Sequence, residues 1–246
     1  MIRKLLKIVV ILLATMLFFL IMLGLFTQTP MFRAWLKDTI VKQANQSLTA
    51  ELDIGELSGN IFQRLRLSKV VLKVEQDSVV AVRSVFVKIN PLRLLEKQIR
   101  VDVFRIEELT LYVKQLDDST WNMQKIAPKS QAAADTSGSF EWNIEMKSVR
   151  IVNAAVTLET IRETLLPKKI EKINAELSLR ISPNQLWVDI KEFQLEAYGP
   201  DFTLSSLSLV MRQQGKKLSL DDLALTTPAS AVQASAELEL SENPLY

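Results

Sequence analysis

The sequence contains no cysteine and no histidine among its 246 residues. The lack of cysteine excludes disulfides and thiolate metal sites. The lack of histidine removes the commonest general base, the commonest metal ligand and every catalytic triad that uses histidine. The six glycines form neither a G-x-G-x-x-G nor a G-x-x-x-x-G-K-[ST] motif, so these phosphate-binding loops are absent. We therefore expect no cofactor, no metal site and no enzymatic activity.

Charge is nearly balanced, with 30 basic and 28 acidic residues and a net charge of +2. Basic and acidic residues are interspersed outside the N-terminus, so no basic surface for nucleic acid stands out. We therefore expect no nucleic-acid partner. Three pairs of neighbouring carboxylates could suggest acid-base chemistry. We interpret them as solvated turn or bulge residues, because neighbours on a strand point to opposite faces. These pairs are Glu107-Glu108, Asp117-Asp118 and Asp221-Asp222.

One long apolar run occupies residues 8–26 and is interrupted only by Thr15 and Gly24. As a helix it would reach about 28 Å, close to the thickness of a bilayer's hydrocarbon core. The basic residues Arg3, Lys4 and Lys7 precede it, so the N-terminus is expected in the cytoplasm. A cleaved signal peptide is the alternative, but no small-residue cleavage site follows the run. Residues 1–28 are thus predicted to form a single-pass anchor, with membrane positions at Ile8, Leu12, Leu17, Leu20 and Phe26.

Residues 29–50 are predicted to form a short amphipathic helix. Thr29 can cap its first turn, and proline suits the first helical position. The apolar residues recur at steps of three and four, as a helix face requires. Two interpretations stay open: Phe32 and Trp35 lie at the membrane interface, or the helix caps the first strands. The apolar face comprises Phe32, Trp35, Leu36, Ile40, Ala44 and Leu48.

From residue 51 onward the spacing alternates with a period of two, which is typical of strands. An eight-residue pattern also recurs: apolar, x, apolar, two polar residues, apolar, x, apolar. Its offsets do not fall on one helix face, but they fit a strand with a β-bulge at the polar pair. A hairpin turn there is disfavoured because no pair contains glycine or asparagine. The copies begin at Leu65, Val80, Phe104, Ile144, Val188, Phe202 and Leu218.

Consecutive strands with short connections predict a mainly antiparallel sheet. Aligned bulges would curl this sheet strongly along its length. Each strand has one apolar face, which either a second sheet covers, as in a sandwich, or lipid tails cover in an open trough. The only clear flexible linker is PKSQAAADTSGS at residues 128–139. We therefore expect a first β unit at residues 51–127 and a second at residues 140–246.

Several short sequences together resemble the N-terminal region of the TamB-type, AsmA-like family. The resemblance extends from residue 1 to about residue 158 and follows the predicted anchor and short helix. It consists of LDIGELSG at residues 52–59, LRLSKV at 65–70, INPL at 89–92 followed by LL at 94–95, VFRIEELTL at 103–111 and STWN at 119–122.

The resemblance implies a Gram-negative inner-membrane protein whose bulk lies in the periplasm. It implies an elongated, strongly curled β-sheet that forms an open, β-taco-like groove. It further implies transport of phospholipids between the inner and outer membranes. An Omp85-type, TamA-like barrel of the outer membrane is implied as a protein partner. Members of this family are usually far longer, so we expect this chain to be the front part of such a protein.

Two functions follow as expectations. In the first, acyl chains lie along the apolar face of the sheet. In the second, exposed strand edges pair with strands of outer-membrane proteins, and the protein acts as an assembly scaffold. The residues predicted to line a lipid groove are Leu65, Leu67, Val85, Val87, Phe104, Ile106, Leu109, Leu111, Ile144, Ile151, Leu177, Leu179, Val188, Ile190, Leu207 and Leu209.

Overall fold

The computed structural model describes residues 11–12, 14–18, 21–22, 24–60, 63–118, 120–126, 142–162 and 165–239. Helix α1 is Pro30–Ser47, and 3-10 turns occupy Pro91–Glu96 and Asn122–Lys125. Ten strands follow the helix. They are β1 Glu51–Asn60, β2 Arg64–Val74, β3 Asp77–Ile89, β4 Gln98–Lys114, β5 Asn143–Glu159, β6 Lys169–Ser182, β7 Gln185–Tyr198, β8 Phe202–Gln214, β9 Lys217–Thr226 and β10 Ala231–Glu239.

All ten strands belong to one sheet, in which the spatial order equals the sequence order. The sheet is open, because β1 and β10 lie at its two edges. This confirms the prediction of a mostly β protein. The described residues contain no second sheet, so the sandwich alternative finds no support in them. The sheet continues from β4 to β5, whereas the predicted linker at residues 128–139 lies outside the described residues.

Neighbouring strands are antiparallel as predicted, with one exception. Strands β4 and β5 run parallel over their whole length, from the pair Gln98 and Asn143 to the pair Lys114 and Glu159. Parallel neighbours need a crossover connection rather than a tight turn. One parallel pair among nine agrees with the prediction of a mainly antiparallel sheet, although its position between β4 and β5 was not predicted.

The predicted bulges are present in the second half of the sheet. The register shifts between Met146 and Val149 in β5, and between Ile190 and Phe193 in β7. Further shifts occur opposite the polar pairs at residues 205–206 in β8 and 221–222 in β9. The polar pairs lie inside strands, which excludes hairpin turns at these positions. Bulges strengthen local twist, so these positions favour the predicted curl, which stays a prediction.

In β1 to β4 the same irregularity takes a different form. Pairing is interrupted at one level in all four strands, at Gly55, Lys69, Arg83 and Glu108, without a register shift. Lys69 and Glu108 have left-handed φ angles of 54° and 51°. Because every strand is irregular at the same level, the strands keep the same register before and after this level. The polar pairs of β2, β3 and β4 lie side by side at this level, as predicted for aligned bulges, but the register shows no extra residue here.

Helix α1 lies along the outer edge of β1. Asn45 donates its side-chain N–H to the Leu52 carbonyl (3.2 Å) and accepts the Leu52 N–H (2.6 Å). The Lys37 ammonium donates to the Gly55 carbonyl at 3.1 Å. The helix therefore covers an edge that would otherwise expose unpaired backbone groups. This supports the interpretation of the helix as a cap on the first strands.

The sequence prediction for α1 is correct at its start and partly wrong on its face. Thr29 accepts a hydrogen bond from the Phe32 N–H, and proline begins the helix, as expected. However, Trp35 is 59% exposed and lies away from the sheet. The half-buried side of α1 includes the predicted positions Phe32, Leu36, Ile40 and Ala44, together with Arg33, Lys37, Val41 and Asn45.

The predicted membrane anchor is only partly described. Ile8 and Leu20 lie outside the described residues, whereas Leu12, Leu17 and Phe26 are helical and exposed. Among the residues that the structure describes, no helix has the length and apolar character needed to cross a membrane. The anchor at residues 8–26 therefore stays a prediction.

Replacing Asn45 with alanine should destabilise the protein by about 1–3 kcal/mol, because the Leu52 N–H and carbonyl lose their partners in a partly buried site. Urea unfolding of the full chain in detergent, followed by circular dichroism, measures the change. Gln46→Ala is the matched control, since Gln46 is exposed on the same helix. Equal unfolding midpoints for the two variants would contradict the role of Asn45 as an edge cap.

Candidate functional site

The strand register brings the predicted lining residues together in continuous cross-strand rows. Directly paired residues lie on the same face of a sheet, within about 5.5 Å of each other. One row crosses eight strands and contains five of the predicted residues, four of them on neighbouring strands. It runs through Leu57, Leu67, Val85, Ile106, Ile151, Ala175, Phe193 and Leu207.

A second row lies two residues away on each strand, or three residues away in β7, and is equally apolar. It includes six predicted lining residues together with one that the prediction did not contain, Val149. The pattern could have indicated Val149, because it occupies an apolar position of the recurring eight-residue figure. The row runs through Leu65, Val87, Phe104, Val149, Leu177, Ile190 and Leu209.

Rows nearer the strand ends contain the remaining predicted residues. Leu179 pairs with Val188 and with Met146, and Ile144 pairs with Ile99 and Ile181. Leu109 pairs with Val82, and Leu111 pairs with Val80. A bulge returns both halves of a strand to the same face, so the rows on both sides of the polar pairs form one apolar surface. We call this surface the apolar face.

The sixteen predicted lining residues have similar exposure. Every one of them is half-buried, and none is either buried or fully exposed. Other apolar residues paired into the same face are buried, namely Ile54, Leu57, Val82 and Ala175. The apolar face is thus covered unevenly, and the sixteen predicted positions stay partly exposed.

The opposite face of the sheet is polar. Arg105 pairs with Glu107 at 2.8 Å, and the Ser84 hydroxyl donates to the same carboxylate at 2.8 Å. Arg150 and Glu176 are paired at 3.0 Å across neighbouring strands. Such paired and partly exposed charges are stable in contact with water. The sheet is thus amphipathic, with one hydrated face and one apolar face.

The carboxylate pair Glu107-Glu108 serves two separate ion pairs. Glu107 contacts Arg105 and Ser84, whereas Glu108 contacts Arg83. The two side chains thus have different partners, as expected for neighbours at an irregular strand position. Asp118 pairs with Arg162 at 2.9 Å. Within the described residues, no group of three or more acidic side chains could hold a metal ion.

A cavity of about 260 Å³ lies at the ends of β2 to β5. Its walls include charged side chains, and Lys125 forms an ion pair with Glu75 at 2.9 Å. Next to it, the 3-10 turn after β4 packs Met123 and Ile126 on a small core of Ala50, Val74 and Val79. The charged walls do not suit an acyl chain, so we assign this end a structural role.

An exposed triad of polar side chains follows the bulge in β6. Lys172 donates to one Glu196 oxygen at 2.9 Å, and the Tyr198 hydroxyl donates to the other at 2.7 Å. The hydrogen bond from Lys172, followed by that from Tyr198, lowers the pKa of the Glu196 carboxyl. The hydrogen bond with Glu196 raises the pKa of Lys172 and that of Tyr198.

These shifts set the pH range in which the triad stabilises the fold. The lowered pKa of Glu196 gives a contribution that is present above pH 4.5 and is lost as the pH falls through the folded-state value. We predict that Lys172→Met raises the pKa of Glu196 toward 4.5, measured by carboxyl ¹³C NMR. Lys191→Met is the control, because Lys191 contacts Glu176 instead. An unchanged Glu196 titration in the Lys172 variant would contradict the assignment.

Comparison with known families gives one decisive match. The model of the AsmA family matches residues 2–191, which is most of the chain. The chain belongs to the AsmA family. At the level of the family, this membership indicates a role in outer-membrane assembly or lipid transport. Searches of curated proteins and of solved structures gave no match.

The family match includes β1 to β6 and ends within β7. It thus contains the first half of the apolar face and the parallel pair of strands. The apolar rows continue without interruption into β8, beyond the matched residues. The apolar face of this AsmA-family protein therefore continues past residue 191, where the family match ends.

Proposed function

We propose that this AsmA-family protein conducts phospholipids along the apolar face of its sheet, between the inner and outer membranes. The observation that carries the proposal is the set of uninterrupted apolar rows, in which all sixteen predicted lining residues are half-buried rather than buried. Ten strands spaced by about 4.8 Å give this surface a length of about 43 Å across the strands. A single-pass anchor at residues 8–26 holds the protein in the inner membrane, and the sheet lies in the periplasm.

The mechanism is passive and needs neither a cofactor nor catalysis. Each acyl methylene that leaves water gains about 0.8 kcal/mol, wherever along the apolar face it is buried. Successive rows offer similar valine, leucine and isoleucine side chains, so the gain is nearly constant from strand to strand. A lipid can therefore move across the strands without a deep energy minimum, while its headgroup stays in water.

Photocrosslinking tests this proposal. A photoreactive amino acid at Val87, which lies on the apolar face, should capture phospholipid when the full chain is irradiated in cells. The control position is Phe86, the next residue of β3, which lies on the polar face beneath Arg66. Capture of outer-membrane protein rather than lipid at Val87 would overturn the proposal.

A second function is supported by β10 at the edge of the sheet. Strand β10 pairs with β9 on one side, no other described strand pairs with its second side, and all of its residues are exposed. In contrast, α1 covers the edge of β1. An uncovered edge can add a strand from another protein. In this alternative the protein is a scaffold for outer-membrane proteins and acts with an Omp85-type, TamA-like barrel. A photoreactive residue at Gln233 of β10 should then capture protein strands.

A further inference from the structure

The turn between β3 and β4 exposes three leucines within one 3-10 turn, Pro91–Glu96. Leu92 is 70% exposed, Leu94 45% and Leu95 87%. Single exposed leucines are common on protein surfaces, whereas a cluster at the tip of one turn indicates an interaction site. The turn lies at the end of the sheet, outside the cross-strand rows described above.

The direction of α1 determines which end of the sheet this is. Asn45 contacts Leu52, and Lys37, which is earlier in the helix, contacts Gly55, which is later in β1. Helix α1 therefore runs antiparallel to β1 and begins near the end of β1 at Asn60. The turn after β3 lies at this same end, because Asn60 pairs with Arg64 and Leu65 pairs with Val87.

The start of α1 and the leucine turn consequently lie at the same end of the sheet. About two and a half strand spacings, or roughly 12 Å, separate β1 from the β3–β4 connection. The chain enters α1 through an aromatic cluster in which the ring centroids of Phe26 and Phe32 are 5.7 Å apart and those of Phe32 and Trp35 are 5.6 Å apart. Aromatic residues of this kind favour the membrane–water interface.

The charges around the turn fit an anionic lipid surface. Residues 88–97 contain three basic residues and one acidic residue, which gives a net charge of +2. The single acid, Glu96, forms an ion pair with Arg93. Lys88 and Lys97 are exposed on either side of the turn. Exposed leucines flanked by lysines are the arrangement that peripheral membrane contacts use.

We propose that the Pro91–Glu96 turn inserts Leu92, Leu94 and Leu95 into the periplasmic surface of the inner membrane as a second contact beside the anchor. The proposal rests on the membrane location given above but not on lipid conduction. Two contacts fix the orientation of the sheet relative to the membrane, which a single contact does not. They also hold the row that contains Val87 and Phe104 close to the bilayer.

Site-specific fluorescence tests this contact, since the chain has no native cysteine. The full chain carrying Leu95→Cys is labelled with an environment-sensitive dye and reconstituted into vesicles of phosphatidylethanolamine and phosphatidylglycerol. A spin-labelled lipid in these vesicles serves as quencher. The control is Leu165→Cys, because Leu165 is 93% exposed and follows β5 at the opposite end of the sheet.

The label at position 95 should shift its emission to the blue and be quenched by the spin-labelled lipid, whereas the label at position 165 should not. Equal quenching of both labels by aqueous iodide, with no effect of the spin-labelled lipid, would overturn the proposal. Blue-shifted emission that persists without vesicles would also overturn it, since a protein contact then covers the turn. Lipid transfer measured on the same samples separates this result from the proposed function.

Discussion

Ile151→Lys is expected to lower phospholipid transfer about a hundredfold. Ile151 lies in the middle of the apolar face, paired with Ile106 on one side and Ala175 on the other. An acyl chain that crosses this row must pass the new ammonium group. A lysine at the centre of a bilayer costs about 3 kcal/mol on insertion scales, which corresponds to about a hundredfold in rate. Transfer of a fluorescent phospholipid between donor and acceptor vesicles measures the effect.

Val152→Lys is the matched control for this prediction. Val152 is the next residue of β5 and pairs with Glu107 on the polar face. The same charge is thereby added to the same strand, beside a carboxylate and away from the apolar rows. We expect normal transfer and normal expression. If both lysine variants transfer lipid at the rate of the unmodified protein, the apolar face is not the path.

Gly59→Ala is expected to destabilise the protein by about 4 kcal/mol, the combined cost of a left-handed conformation and of overpacking. Gly59 has a φ of 85°, a region that costs roughly 1–2 kcal/mol for residues with a side chain. A Cβ atom there would also lie 2.0 Å from the Arg64 carbonyl oxygen. This oxygen belongs to the backbone of β2, so the clash is relieved only when the β1–β2 connection moves. Urea unfolding of the full chain in detergent measures the loss.

Gly215→Ala separates the two contributions at Gly59, the steric clash and the cost of the left-handed backbone conformation. Gly215 has a φ of 59°, but its Cβ position has no heavy atom within 4 Å. The alanine variant should therefore lose only about 1 kcal/mol, the cost of the left-handed conformation alone. A Gly59 variant that is no less stable than the Gly215 variant would show that the β1–β2 connection tolerates movement.

The strands and their bulges were predictable because the pattern is local. Each strand alternates between a water-facing and an apolar side, so the period of two is visible in the sequence. An extra residue is visible in the same way, as a pair of polar residues between two apolar pairs. The pair at residues 147–148 in β5 is an example, since Ser178 donates to the Lys147 carbonyl at 3.0 Å where the register shifts.

The pairing partners were not predictable, because they depend on contacts between distant parts of the chain. Nothing in the alternation of β4 or β5 distinguishes a parallel from an antiparallel neighbour. The exposure of Trp35 could not be predicted either, since it depends on which side of α1 contacts the strand edge. The left-handed conformation of Asn153 also has no local signal beyond its polarity, although its N–H is bound by the Asn174 side chain at 2.8 Å.

The line of irregular residues across the sheet follows from these pairings. Glu108 and Asn153 lie at the same level of the parallel pair, and both have left-handed φ angles. Arg83 adds an ion pair with Glu108 at this level. These irregular residues thus lie at one level in neighbouring strands, where they favour a local bend and a stronger twist. A bend of this kind is what an elongated groove requires.

An experimental map of the full chain in lipid tests the central claim most directly. The proposed function predicts tubular density for acyl chains on the apolar face, running across the strands and in van der Waals contact with Val85, Ile106 and Ile151. A second sheet, or a protein segment packed over these side chains in place of lipid, would contradict the account.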